Sequence, residues 1–583
     1  MILSIFVQVR ELKMITKEQK KNTGATFTPK ELADYLSNKI ITHLGKGKVN
    51  VLDPACGEGE LLVSIGQQFS NVNIDFTLVG YDASNNYLRH AKDRMIQFGI
   101  RNIELIHDDF LTAIGFTGSQ MTLDFSPINK RNSVNQTFDV VIANPPYVRT
   151  QILGAEQAQE LAKKFNLKGR VDLYYPFLIA MTESLKEGGV LGVITSNRYL
   201  FTKSGESVRK FLSENYEILE VIDLGDTKIF DAAVLPAIFI GRKCKPRKPS
   251  SGKFLKIYEE LNGYEGELIS AESVYEIISS EKSGYFSIGG KKYKKTDGVL
   301  KYSISSSSIW EMYSDSESQW VSKIDSNAAG RVEDYFKVRV GIKTTADKVF
   351  ISDHWDEMGN EKPEDELLKE LISQENIEPW SVNDNLKLKV LYPYYSEDGS
   401  KNIIDIDLFP NTKKYLLLHK EKLISRKYLI NAGRKWYELW VPHRPEYWKF
   451  PKLVFPDISP NPRFYFDTGG KIVNGNCYWI VGMENNDSEK LLLIQGIANS
   501  KLMTKYHDLV FNNKLYSGRR RYFTQYVEKY PLPDFNSATA KQIVGIVKKL
   551  NHFENKATVK DLENQLEIKV ASSFGVDPVF NLD

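Results

Sequence analysis

VLDPACGEGELL, Val51 to Leu62, is the stretch from which the fold can be read. An apolar run ends at Asp53, a turn holding Gly57 and Gly59 follows, and a helical pattern opens near Glu60. Glycine allows a tight turn and lets a ligand approach the backbone closely. Outward from this stretch, NVLDP, FTLVGYD, IELIHDD, FDVVIANPP and GVLGVIT recur between Val49 and about Arg242, separated by helix-length segments. Short runs rich in Val, Ile and Leu read as buried parallel strands. Their alternation with helices predicts a doubly wound α/β sheet. Ligands of such sheets sit at the carboxyl ends of the strands, and the polar motifs all fall there.

Four of these strand ends carry chemistry. Asp53 suits an amino-acid ammonium, whereas a dinucleotide-binding loop has to accommodate a pyrophosphate. Asp82, at the end of FTLVGYD, is placed to accept ribose hydroxyls. In HDDF, His107 to Phe110, Asp109 can accept from an adenine amine and Phe110 can pack on its ring; His107 reads as a neighbour rather than a base. FDVVIANPPYV is the most informative: a hydrophobic strand ends in Asn144, followed by Pro145, Pro146 and Tyr147. Proline lacks an N–H and fixes φ. The Asn144 amide oxygen and the Pro145 carbonyl are thereby held as two neighbouring acceptors. A planar NH2 group entering there donates one hydrogen bond to each, which favours pyramidalisation and aims its lone pair at an electrophile. Tyr147 supplies a stacking face.

Composition bounds the rest. The 583 residues, 42% hydrophobic and 26% charged, suit a soluble chain of two or three domains. A net charge of +3 announces no polyanion partner but permits one basic face. Cys56, Cys244 and Cys477 lie far apart and the eight histidines are scattered. Neither a disulfide framework nor a zinc site is expected, and the chain reads as cytosolic and metal-free. MILSIFVQVRELK is a poor signal peptide and too short to span a bilayer, so no membrane association is expected. It is either an extension upstream of a natural start at Met14 or a frayed terminus. GRKCKPRKPSSGK, from Gly241, is basic and rich in Pro and Ser and reads as a linker. Beyond it the βα rhythm gives way to Tyr, Trp, Phe and Lys, and KLLLIQGIANSKLMTKYHDLV reads as an apolar helix.

The order DPxCGxG, an acid on the second strand, DF and NPPY resembles the class I adenine-N6 DNA methyltransferases. NTGATFTPKELADYL, Asn22 to Leu36, is similar to that family's segment before the first motif. With this segment N-terminal and a long C-terminal half, the chain resembles the γ (TaqI-like) subgroup of type II restriction–modification systems. DLYYPFL, EGGVLGVITSNRYL and TKIFDAAVLPAIFI resemble later catalytic motifs, and YFKVRVGIKTTADKVFI resembles the entry to a recognition domain. The resemblance implies an N-terminal Rossmann-like class I methyltransferase domain, α/β with a mainly parallel sheet, and a C-terminal mixed α+β target-recognition domain. The expected bounds are residues 1–21 as an extension, 22–243 catalytic, 244–255 linker, 256–535 recognition and 536–583 helical. It implies S-adenosylmethionine as cofactor, held by Phe27, Thr28, Pro29, Asp53, Ala55, Gly57, Asp82, Asp109, Phe110 and Asn144. Asn144, Pro145, Pro146 and Tyr147 are the implied catalytic corner, with Tyr147 and Phe230 sandwiching the target adenine.

The implied partner is double-stranded DNA, with a cognate restriction endonuclease as a functional rather than physical partner, and one catalytic and one recognition domain suffice for a monomer. The target base must be flipped out of the duplex. Arg519, Arg520 and Arg521 of GRRRYF are expected to grip phosphates or reach guanine. Arg434, in the aromatic RKWYELWVPHRPEYWK, and Lys343, in VGIKTTADK, are further expected DNA contacts, although the tryptophans suit a core equally well. A protein-glutamine methyltransferase also uses NPPY but lacks so long a C-terminal half. An RNA base methyltransferase, a nuclease–methyltransferase fusion and a non-enzymatic DNA-binding module are further alternatives.

Overall fold

The computed structural model describes residues 27–113, 136–146, 174–202, 205–230, 235–249, 251–260, 266–304, 309–383, 387–484, 487–511, 518–552 and 555–580. The first residues, with the alternative start at Met14, and Tyr147 lie outside them. The chain divides into two compact units, Met1–Asp315 and Ser316–Asp583.

The first unit is built on an eleven-stranded sheet. Its strands are β1 Val49–Asp53, β2 Phe76–Asp82, β3 Ile103–His107, β4 Phe138–Ala143, β5 Leu185–Ser196, β6 Tyr216–Asp223, β7 Pro236–Lys243, β8 Lys253–Glu259, β9 Leu268–Ser270, β10 Gly284–Ile288 and β11 Lys291–Val299. The order is β3-β2-β1-β4-β5-β7-β6-β8-β11-β10-β9. β1 to β5 pair in parallel, and β7 is inserted antiparallel between β5 and β6. Alternate residues of a strand face opposite sides, and here both sides are buried. Val140 and Ile142 enter one hydrophobic layer and Val141 and Ala143 the other. This explains why the strands read as continuous apolar runs. Helix α1, Lys30–Ile41, lies against β5 so closely that a Cβ on Gly192 would come within 2.4 Å of Ile40 Cδ1.

The strand order reverses between β1 and β4, because β2 leaves β1 on one side and β4 flanks it on the other. The crevice above such a switch point is where ligands bind. Asp53 ends β1 and Asn144 follows β4 directly.

The expected linker at 244–255 is not a domain boundary. β8 begins at Lys253 and pairs in parallel with β6, Glu220 opposite Lys253 and Asp223 opposite Lys256. β11 then pairs with β8. Strands β8 to β11, expected almost wholly in the recognition domain, therefore extend the sheet of the first unit. Pro and Ser mark a surface crossover here, and a surface crossover has the composition of a linker.

The second unit holds two four-stranded sheets. In one, Val338–Val340, Cys477–Val481, Lys452–Pro456 and Tyr465–Asp467 pair antiparallel. Its core gathers Trp355, Tyr392, Trp448 and Trp479, so Trp448 of RKWYELWVPHRPEYWK is a core residue. The expected helix of residues 490–510 is two, Asp487–Asn499 and Lys501–Phe511. Ser500 turns its hydroxyl back to Ile497 O, and the next backbone N–H groups, of Lys501 and Leu502, donate to the Glu567 carboxylate. Glu567 lies on Lys556–Phe574, so the C-terminal helices belong to this unit. No helix among the described residues is long and apolar enough to cross a membrane, and none of their His, Cys, Asp and Glu side chains form a metal-binding group.

Candidate active site

The turn after β1 is held from both sides. Gly57 (φ +52°) and Gly59 (φ +80°), the latter at the start of helix α2, Glu60–Asn71, take left-handed conformations that glycine adopts without penalty. A Cβ on Gly59 would sit 3.1 Å from both Ala91 Cβ and Met95 Cε on helix α3, Asn85–Gln97. Cys56 N donates to Tyr81 O (2.8 Å) and Gly57 N to Asp82 Oδ2 (2.9 Å). Asp82 Oδ1 accepts from Ser84 N (2.7 Å), so this one carboxylate ties the loop after β1 to the loop after β2. Each of its oxygens keeps a second lone pair for a hydroxyl. Asp53 is 1% exposed and accepts from Ala55 N at 3.1 Å. Burial pushes its carboxyl up to about 8, opposed by the Ala55 N–H and reinforced by the charge of Asp82.

Of these residues Asp53, Cys56 and Gly57 line an open pocket, together with Phe27, Thr28, Ala55 and Asn144, while Asp82 stands behind Gly57. Asn144 Nδ2 donates to Thr28 Oγ1 at 3.0 Å, which fixes the amide plane and orients its carbonyl end. Pro145 is buried and Pro146 half-buried. The residues fit S-adenosylmethionine. The buried carboxylate of Asp53 matches a cationic amino-acid end, and a Cβ on Gly57 would meet only Phe27, 4.0 Å away, so the bare backbone forms one wall.

Other expected residues stand differently. Pro29 caps helix α1, its carbonyl accepting from Leu32 N and Ala33 N. Asp109 is exposed and accepts from Leu111 N. Phe110 is 1% exposed, edge-on to Tyr81 and stacked on Phe177. Its ring belongs to the core and presents no face to a ligand, against expectation. Phe230 is 6% exposed within the layer that also contains Leu32 and Leu36, so as placed it does not stack on a base. Tyr147 lies outside the described residues.

Glu58, Glu60, Leu61 and Arg94 also line the pocket. Arg94 bridges Glu60 (2.7 Å) and Glu58 O (3.2 Å). Its place in the third turn of α3 gave no motif, whereas Glu58 and Glu60 stand inside one.

In the second unit, Lys343 and Arg519 are exposed and Arg521 half-exposed. Arg520 is not available to DNA: it is 3% exposed, and Nε and Nη2 each donate to Asp508 at 2.6 Å. Arg434 lies over Trp440 and donates to the carbonyls of Leu439 and Trp440, a turn-stapling role rather than a DNA-facing one.

Two family models match the chain: the Eco57I restriction-modification methylase over residues 67–230 and the TaqI-like C-terminal specificity domain over 393–532. The chain is similar to the type II methyltransferase M.BanIII of Aneurinibacillus aneurinilyticus, 43% identical over 96% of this chain and 98% of the relative. It is 25% identical to the type II methyltransferase M.BstVI of Geobacillus stearothermophilus, over 91% of this chain and 93% of the relative. Among solved structures, the type IIL restriction-modification enzyme MmeI in complex with DNA shares the fold, with a TM-score of 0.60 at 15% identity over 97% of this chain and 78% of that one.

Proposed function

This chain belongs to the type II methyltransferases of restriction–modification systems, and on that footing we propose that it methylates N6 of a specific adenine flipped out of duplex DNA. Its methyl donor is S-adenosylmethionine. The observation that carries the adenine assignment is the corner Asn144-Pro145-Pro146 at the carboxyl end of β4, whose Asn144 also lines the Asp53 pocket across the switch point.

When bound, the cofactor supplies an activated methyl on a sulfonium. Asp53 holds its cationic end, Asp82 accepts from its ribose, and Gly57 lets it lie against the backbone. Asn144 Oδ1 and the Pro145 carbonyl accept hydrogen bonds from the two N–H groups of the adenine amine, and Thr28 keeps the Asn144 amide from rotating. Alignment of two bound reactants can be worth about 7–11 kcal/mol. No strong base is required, because the amine becomes acidic once methylated. Unstacking the adenine costs a few kcal/mol, offset by base stacking, for which Tyr147 is the proposed platform. The second unit selects the sequence, and methylation there protects the site from a cognate endonuclease.

Duplex DNA, RNA and protein offered side by side with cofactor labelled in the methyl group test this reading. Label entering duplex DNA alone is expected; label in RNA or protein instead would refute it.

A further inference from the structure

In the second unit, residues 410–435 carry eight lysines and arginines against one acid, Glu421, a net +7 in a chain whose total is +3. The rest of the chain together is therefore net negative. Positive charge gathered in one segment is the electrostatic footprint of a polyanion-binding face.

The segment folds as three short helices, Pro410–Leu418, Lys420–Ile424 and Lys427–Asn431. Their inward side chains fix it to the unit. Tyr415, Leu416 and Leu423 enter the core. The Glu364 carboxylate accepts from Asn411 N and Thr412 N, both at 2.8 Å, at the start of the first helix. Arg426 is 6% exposed and is spent on the fold: it donates to the carbonyls of Thr344 (2.9 Å), Glu438 (3.0 Å) and Trp436 (2.6 Å). Lys413 pairs with Asp407 at 2.7 Å.

The outward side chains have another character. Lys414, Lys420, Lys422 and Lys427 are exposed, and none of them pairs with a carboxylate among the described residues. Lys420 lies over the Trp436 ring, 5.8 Å from its centroid. Between these cations Leu417, Leu418, Ile424, Tyr428 and Ile430 are each at least 40% exposed. Apolar side chains exposed singly are ordinary, whereas five in so short a stretch mark a contact surface. An anionic lipid layer would suit such a surface, but an interfacial helix lies with its apolar face outward. These helices, the longest of nine residues, turn their main apolar stripe into the core.

We propose that this segment grips the phosphate backbone of duplex DNA. Lys420, Lys422 and Lys427, with Lys414 from the helix before, neutralise phosphates, and the apolar side chains between them pack on the deoxyribose faces. Contacts of this kind position a duplex without reading its bases. The inference rests on the reading of the chain as a DNA methyltransferase and adds the surface by which its second unit holds the backbone.

The test is the salt dependence of duplex binding by the full-length protein. Each of Lys420→Ala, Lys422→Ala and Lys427→Ala is expected to lower the slope of log affinity against log salt by about 1. The triple variant should lower it by about 3, equally on duplexes with and without the methylated sequence. An unchanged slope in the triple variant, or a loss confined to one sequence, would overturn the inference while leaving DNA methylation standing. So would an equal loss on replacing Lys541, Lys548 and Lys549, exposed lysines of the helix Ala538–Leu550, because total charge and not this surface would then set the slope. Unchanged DNA binding with lost binding to phosphatidylserine vesicles would assign the surface to lipid instead. Failure of the natural protein to bind DNA would defeat both readings. If the triple variant does not fold, the three single variants decide.

Discussion

Asn144 and Asp53 face one pocket from the ends of two adjacent strands, and each carries a separable prediction. Asn144→Ala removes one of the two acceptors and should lower methyl transfer by about 100-fold or more, with cofactor affinity nearly unchanged; single-turnover rates and calorimetric titration measure the two. Asp53 affects stability. Folding raises its carboxyl from about 4 to about 8, so between these values the folded chain holds a proton that the unfolded chain has released. Stability contributed at this site is therefore greatest near pH 4 and falls as pH rises toward 8, by at most about 1.4 kcal/mol per pH unit. Melting from pH 5 to 8 should show a slope that Asp53→Asn reduces and that bound cofactor, a cation, also reduces. Both residues were legible in the sequence, because a polar residue at the end of an apolar strand has few structural uses. Phe110 and Arg520 were not. The partners of Phe110, Tyr81 and Phe177, come from other segments, Asp508 stands on the helix before the two-residue strand Arg520–Arg521, and a run of three arginines does not say which one that strand turns inward.

At the scale of elements, the glycine turn decides whether the pocket forms. Gly59→Ala would put a side chain at φ +80° against Ala91 and Met95. It should cost about 1–3 kcal/mol, seen as a lower Tm, and weaken cofactor binding because the turn and α3 can no longer close. This turn was legible because glycine spacing is local information. The break at Ser500 was not: the apolar pattern runs on through it, and the cap that starts the second helix is Glu567, sixty-odd residues downstream. Arg520→Ala is the corresponding test in the second unit. It removes the two hydrogen bonds that the buried guanidinium donates to Asp508 and should destabilise the fold by about 3 kcal/mol, measured by denaturant unfolding. Intact stability with weakened DNA binding would restore the DNA-facing role.

For the whole molecule, the parallel core and its switch point followed from alternating strands and helices, but its extent did not. The sheet continues through Val299 and the units divide at Asp315, because β8 pairs with β6 across a connection whose composition imitates a linker. Strand pairing is a long-range fact that composition does not carry. The central claim is that the corner after β4 presents acceptors to an adenine amine beside a methyl donor. Digesting duplex DNA methylated by the purified protein to nucleosides, and weighing the modified one, tests it most directly. N6-methyladenine is the predicted product; N4-methylcytosine, C5-methylcytosine or unmodified nucleosides would contradict the account.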